Sequence, residues 1–187
     1  SKGALVLGFP AAMLTLGLLA GGWVRVGALA VVGLGFVGLV PLLGTARFQS
    51  LLSGQGTTLL RVKLWEAAWD MVRDHPVLGV GLDNFLYQYP RYIRPEALSE
   101  PNLSHPHDWV LDFWLRLGLA GLGAFVWLQA QFFRRALTAW RGLRGDRALW
   151  ALTIGLAAAM VDMLAHGLID SSFFVVELAA IFAIMVG

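Results

Sequence analysis

The chain has 187 residues, of which 58% are hydrophobic and only 14% charged, against roughly 45–50% and about 25% in soluble domains. Together with a mean hydropathy of +0.69, this excludes an ordinary soluble domain and points to an integral membrane protein. Fourteen Lys and Arg against 12 Asp and Glu leave a net charge of +2; the basic residues gather by topology rather than on one soluble face, so nucleic acid is not an expected partner. The absence of cysteine excludes disulfides, iron–sulfur clusters and thiolate zinc sites. Both ends are apolar and the first segment lacks the basic n-region and cleavage site of a signal peptide, so the chain is expected to be a piece, the C-terminal half, of a larger polytopic protein.

Residues 3–22 form an apolar run of about 20 residues, enough to cross roughly 30 Å of hydrocarbon. Pro10 should kink it, which membrane helices tolerate. Gly21, Gly22 and Arg25 mark a tight reversal. Residues 26–43 form a second span with glycines at 27, 33, 35 and 38, a helix-packing signal. The two spans make a first region, 1–44.

Residues 45–109 are the long polar segment and hold three of the four histidines. Thr57 or Thr58 can cap a helix running to Asp74. Arg61, Trp65, Ala68, Trp69 and Val72 fall on one stripe at helical period, which suits either a membrane-surface helix or one packed on the protein itself. His75-Pro76 ends it. Gly79-Val80-Gly81 makes a turn; it resembles a phosphate loop only superficially, because it lacks the lysine and follows no strand. Asp83-Asn84-Phe85 starts a short helix, and the prolines at 90, 95 and 101 make the following stretch irregular, with Arg91 and Arg94 exposed.

Residues 110–187 hold three further spans, the last incomplete: 110–133, 148–169 and one beginning at Ser172. Asp112 and Arg116 can pair at i, i+4. The connection 134–147 carries Arg134, Arg135, Arg141, Arg144 and Arg147 against the single acid Asp146. By the positive-inside rule this loop is cytoplasmic, and alternation then puts 45–109 on the outer side. The expected fold is an all-α transmembrane bundle of about five spans with one large external loop.

Two constellations carry chemistry. In the loop, His105-Pro106-His107-Asp108 stands where the polar segment turns apolar, near arginines whose forks bind phosphate or carboxylate bidentately. Histidine exchanges a proton near neutral pH. Two histidines at i, i+2 without further ligands do not make a metal site, so neither metal nor cofactor is expected. In the fourth span, Asp162, His166 and Asp170 share one face; ionisable residues there mark a cavity or relay, or a helix-packing set. The first constellation suits an enzyme acting on an anionic lipid-linked substrate. The second would suit a transporter of an ion or of bicarbonate.

A series of segments then resembles the O-antigen ligase/polymerase superfamily: Arg61-x-x-x-Trp65-x-x-Ala68; Asp74-His75-Pro76-Val77-Leu78-Gly79-Val80-Gly81-x-x-Asn84-Phe85; His105-Pro106-His107-Asp108-x-x-Leu111; Leu117-Gly118-Leu119-Ala120-Gly121; and His166-Gly167-Leu168-Ile169-Asp170. The resemblance implies a polytopic, metal-independent glycosyltransferase. It would move a glycan from an undecaprenyl-pyrophosphate carrier to a glycan, lipid or protein acceptor on the outer face of the bacterial inner membrane. Ligase, polymerase and protein O-oligosaccharyltransferase share these motifs. By motif position the resemblance implies Arg61 on the pyrophosphate and His107 or His105 at the acceptor hydroxyl. Arg91, Arg94 and Arg116 join the phosphate set by charge and topology, with Asp108, His166 and Asp170 in support. The family commonly has Asn where Asp108 stands and Glu where Arg116 stands; Asp108 could orient His107, and Arg116 could add a phosphate contact. Half a bundle cannot enclose a site, so activity is expected of the longer parent.

Overall fold

The computed structural model describes residues 4–42, 57–170, 173 and 182–183. Among them every regular element is helical. Gly22–Leu39, Trp109–Gly142 and Arg147–Gly167 are long and apolar enough to cross a membrane, and a shorter apolar helical stretch, Leu5–Ala20, precedes them. The fold is thus an all-α membrane bundle. The span expected from Ser172 onward lies outside the described residues. By contacts the chain divides into two compact units, residues 1–39 with 127–187, and residues 40–126.

In the first unit, helices α1 (Phe9–Ala20) and α2 (Gly22–Leu39) form a hairpin. The kink expected at Pro10 takes the form of a π-helical turn, Ala4–Gly8, with the proline in the first turn of α1. Proline has no N–H to give the preceding turn, so a locally widened ladder absorbs it. The reversal falls at Gly21, whose φ of +68° suits a residue without a Cβ. The close approach of the pair is at Gly17, where an added Cβ would lie 2.9 Å from Ala28 Cβ. The glycines of α2 at 27, 33, 35 and 38 would meet nothing within 4 Å, so the small-residue face expected to pack is open among the described residues.

Helix α5 (Trp109–Gly142) contributes residues 127–142 to this unit. It runs past the expected end at 133, because Arg, Ala, Leu and Trp continue a helix and no breaker intervenes before Gly142. Its last turns carry Arg134, Arg135 and Arg141, charges that belong at the interface rather than in the hydrocarbon. There Trp140 Nε1–H donates to Leu19 O at 3.0 Å, satisfying one of the carbonyls that the end of α1 leaves without an intrahelical donor. A short turn leads to α6 (Arg147–Gly167), capped by Asp146, whose Oδ1 accepts from the amides of Ala148 and Leu149 at 3.0 and 3.1 Å.

The second unit is built on α3 (Thr57–Asp74). Its buried face is Leu64, Ala67, Ala68, Met71 and Val72, packed with Phe85, Tyr89 and Leu115. This is the packed-helix alternative, with the stripe rotated: only Ala68 and Val72 of the expected set are in the core. The two alanines let the neighbouring rings come close. The tryptophans lie at the margins of the helix, where their N–H or ring edge finds a partner. Trp65 Nε1–H donates to Pro106 O at 2.9 Å, and Trp69 meets Trp114 edge-on with centroids 6.0 Å apart. A four-residue helix, α4 (Phe85–Gln88), and two 3-10 turns follow.

The segment 77–81 docks on a break in α5 at Gly118, which has φ +69° and ψ −172°. In an unbroken helix the Leu119 N–H would donate to Leu115 O. Here Leu119 N–H donates to Val77 O at 2.9 Å, and Leu115 O accepts from Val80 N–H at 2.7 Å and Gly81 N–H at 3.1 Å. The approach is backbone to backbone. An added Cβ at Gly118 would lie 2.2 Å from Val77 O, and one at Gly79 (φ +66°) 2.3 Å from Leu115 O. Trp114 Nε1–H closes the contact on Pro76 O at 2.7 Å.

Gly118→Ala should therefore lower stability by about 2 kcal/mol or more, from the left-handed backbone and the clash together. Gly123→Ala, whose Cβ meets nothing within 4 Å, should leave it unchanged or raise it. Thermal unfolding of the two detergent-purified variants checks the contrast; equal melting temperatures would remove the proposed constraint.

Candidate functional site

The His105–Asp108 turn is held from three directions. Pro106 is fully buried, and its carbonyl takes the Trp65 indole N–H from α3. Asp108 closes the turn as the N-cap of α5, its Oδ1 accepting from Leu111 N–H at 2.9 Å. Between these anchors His107 has φ +54°, an uncommon conformation for a non-glycine residue. The two imidazoles sit edge-on with centroids 4.2 Å apart. His105 Nδ1 accepts the His107 backbone N–H at 3.4 Å, a long contact.

The geometry brings Arg61 and His107 together. With Leu60, Leu64, Leu103 and Glu100 they line a pocket of about 160 Å³. Arg61 comes from the first turns of α3, and His107 from the strained turn that Trp65, one helical turn further along α3, ties down. The pocket is below the roughly 300–1,000 Å³ of sites that enclose a drug-sized molecule; it fits a head group rather than a glycan. A guanidinium fork, an imidazole and an exposed carboxylate share it, a set that can bind an anion and exchange a proton. Glu100 was not expected. It stands in a proline-punctuated stretch with no period, so nothing in the local sequence relates it to Arg61 or His107.

The other expected residues lie outside this lining. Arg94 pairs with Asp70 and lies 3.6 Å from Glu66, which also holds Lys63 at 3.0 Å. Arg91 donates to Gln88 Oε1 at 3.1 Å. Arg116 is 8% exposed and held between two carboxylates: Asp112, at 2.7 Å to Nε, and Asp83. The Asp112 partner follows from the i, i+4 spacing; Asp83 is 33 positions away and carries no sequence signal. His166 and Asp170 belong to the other unit and face each other at 3.8 Å, Nε2 to Oδ2. In that unit Asp162 packs against the chain at Gly8, where an added Cβ would meet its Oδ1 at 2.4 Å.

Burial pushes the Asp108 carboxyl above its usual range, with the Asp112 charge adding to the shift, while the Leu111 and Val110 amides oppose it. A carboxyl raised on folding binds more protons in the native than in the unfolded state. Stability is therefore lost as pH rises from about 4 through the native value. Asp108→Asn keeps the cap oxygen without the charge and should be as stable as the wild type or more so at neutral pH, with the gap closing below about pH 4. Asp108→Ala should cost about 1 kcal/mol. Unfolding curves across pH check both. Arg116→Met strands the buried Asp112 and should cost about 3–5 kcal/mol, much of it recovered in the double variant Asp112→Leu/Arg116→Met; a double-mutant cycle measures the recovery.

The family model for O-antigen ligase matches residues 1–126, which include the two expected N-terminal spans, α3, the Gly79–Gly118 contact and the His105–Asp108 turn. No curated protein and no solved structure matches the chain. The matched stretch covers well over half of the 187 residues and contains both Arg61 and His107. The chain belongs to the O-antigen ligase family, a family of membrane glycosyltransferases of the ligase type that join lipid-linked glycans to acceptors.

Proposed function

We propose that the protein transfers a glycan from an undecaprenyl-pyrophosphate carrier to an acceptor hydroxyl on the outer face of the bacterial inner membrane, with Arg61 and His107 at the reacting end of the donor. The observation that carries this reading is the single pocket lined by both residues in a chain of this family. The acceptor oxygen attacks the anomeric carbon, the bond from that carbon to the pyrophosphate oxygen breaks, and the acceptor proton passes to His107. The charge that develops on the departing pyrophosphate is offset by the Arg61 guanidinium, a fixed cation that needs no reorganisation during the reaction. His107 rather than His105 is assigned the proton because it lines the pocket, whereas His105 supports the turn behind it. Asp108 acts on His107 by fixing the turn through the helix cap.

Arg91, Arg94 and Arg116 belong to the proposal as outlying cationic residues. Arg91 is exposed and bonded only to a neutral amide among the contacts described, so it is the best placed of the three to meet a carrier phosphate from outside the pocket. Arg94 and Arg116 already share their charge with carboxylates.

Arg61→Ala should lower glycan transfer by about 10²–10³-fold, the usual loss for a fixed donor at developing charge. Arg61→Lys should fail to restore it fully, because an ammonium lacks the fork. His107→Ala should lower transfer by about 10²–10⁴-fold, and His105→Ala by less. Complementation of a null strain with the full-length protein, read as lipid-linked donor consumed and product formed, measures each. Full transfer in both Arg61→Ala and His107→Ala would show the assignment to be wrong. Solute uptake in proteoliposomes that depends on Asp162 and His166, with no donor consumed, would replace the reaction with transport.

A further inference from the structure

In the first unit the α1–α2 turn and the α5–α6 turn enclose an open pocket of about 730 Å³. Its cationic wall is Arg25, Arg144 and Arg147, and among the described residues no Asp or Glu lines it. The nearest acid in sequence, Asp146, has Oδ1 committed to the amides of Ala148 and Leu149. Arg144 lies over the Trp140 ring at 5.0 Å, and Trp140 is itself pinned to Leu19 O. The backbone N–H of Arg25 bonds to Gly21 O at 3.1 Å. Trp150, also in the lining, has a buried indole N–H with no acceptor among the described residues.

This pocket shares Leu18, Leu19 and Trp140 with an apolar slot of about 230 Å³ that runs between α1, α5 and α6 past Phe133, Leu137 and Val161. A three-arginine pocket whose wall continues into an apolar slot has the two halves of a phospholipid. Two tryptophans at the boundary suit the headgroup level of a bilayer. A free phosphate would use the first half and leave the second unexplained. A purely apolar occupant would leave three guanidinium groups facing it.

We infer that this end of the unit is a binding site for an anionic phospholipid, its phosphate among Arg25, Arg144 and Arg147 and one acyl chain in the slot along Leu137 and Val161. Basic pockets between membrane helices recognise lipid headgroups in this way. The site rests on residues of the first unit alone and does not depend on the glycosyl-transfer reading.

The test titrates palmitoyl-oleoyl phosphatidylglycerol, the matching phosphatidylcholine and soluble glycerol phosphate into the detergent-purified full-length protein, with native mass spectrometry and thermal shift as readouts. Phosphatidylglycerol should bind most tightly and raise the melting temperature most. Arg25→Gln/Arg144→Gln/Arg147→Gln should weaken its binding by about a hundredfold, as three surface cationic contacts predict, and should leave phosphatidylcholine binding unchanged. The triple Arg→Lys variant should retain most of the affinity, which separates lost charge from lost fold, and Arg134→Gln/Arg135→Gln should bind like the wild type. Equal binding of the two lipids, or full phosphatidylglycerol binding by the triple Gln variant, would overturn the site. Displacement of the lipid by an equal concentration of glycerol phosphate would overturn the lipid in favour of a free anion.

Discussion

Three loop-to-helix hydrogen bonds at the break in α5 govern the second unit. Breaking α5 at Gly118 removes the bond from Leu119 to Leu115, and each freed group is taken up by the segment 77–81. A buried backbone group without a partner costs about as much as a lost hydrogen bond, so neither the break nor the docked loop is stable without the other. The same contact sets the start of the fold's functional end. It fixes Leu115 in the core beside Phe85 and Tyr89, and it holds the first turns of α5 against α3. Asp108 caps those turns, and the His105–Asp108 turn hangs from that cap. The position of His107 relative to Arg61 thus depends on this backbone contact as well as on the bond from Trp65 to Pro106 O.

This explains which parts could be read from the sequence. The membrane helices could, because an apolar run of some 20 residues has one physical meaning in a chain of this composition. So could the Asp112–Arg116 pair, which is local. The stripe of α3 was misplaced by about one position because tryptophan counts as apolar in a periodic pattern. Here Trp65 and Trp69 instead serve the margins, where an indole N–H or ring edge finds a partner. The end of α5 was set too early because the change from apolar to basic residues marks the end of the hydrocarbon and not the end of the helix. Gly79 and Gly118 were visible as two separate motifs. That they form one contact depends on pairing across nearly 40 residues, and no local pattern encodes it. Glu100 and Asp83 were missed for the same reason.

Arginine count alone is a poor guide to an anion site in such a protein, and the environments of these arginines show why. A guanidinium attracts phosphate only to the extent that its charge is not already matched. Arg116 is buried, and burial would be prohibitive without Asp112 and Asp83 beside it; its charge is part of the fold. Arg94 lies across an exposed acidic face of α3, where a single pair contributes about 0–1 kcal/mol, and an incoming anion would have to displace those carboxylates. Arg61 lines a pocket with His107, Glu100 and three leucines. Arg25, Arg144 and Arg147 differ because, among the described residues, no acid joins them in the lining. In each of these two places cationic charge lies beside apolar surface, the combination a lipid-borne phosphate requires: attraction for the headgroup, and a wall that the attached chain can follow without being exposed to water. A substrate carried on a lipid and a lipid of the bilayer make the same physical demand, which is why arginine beside apolar surface suits both of the pockets proposed for this chain.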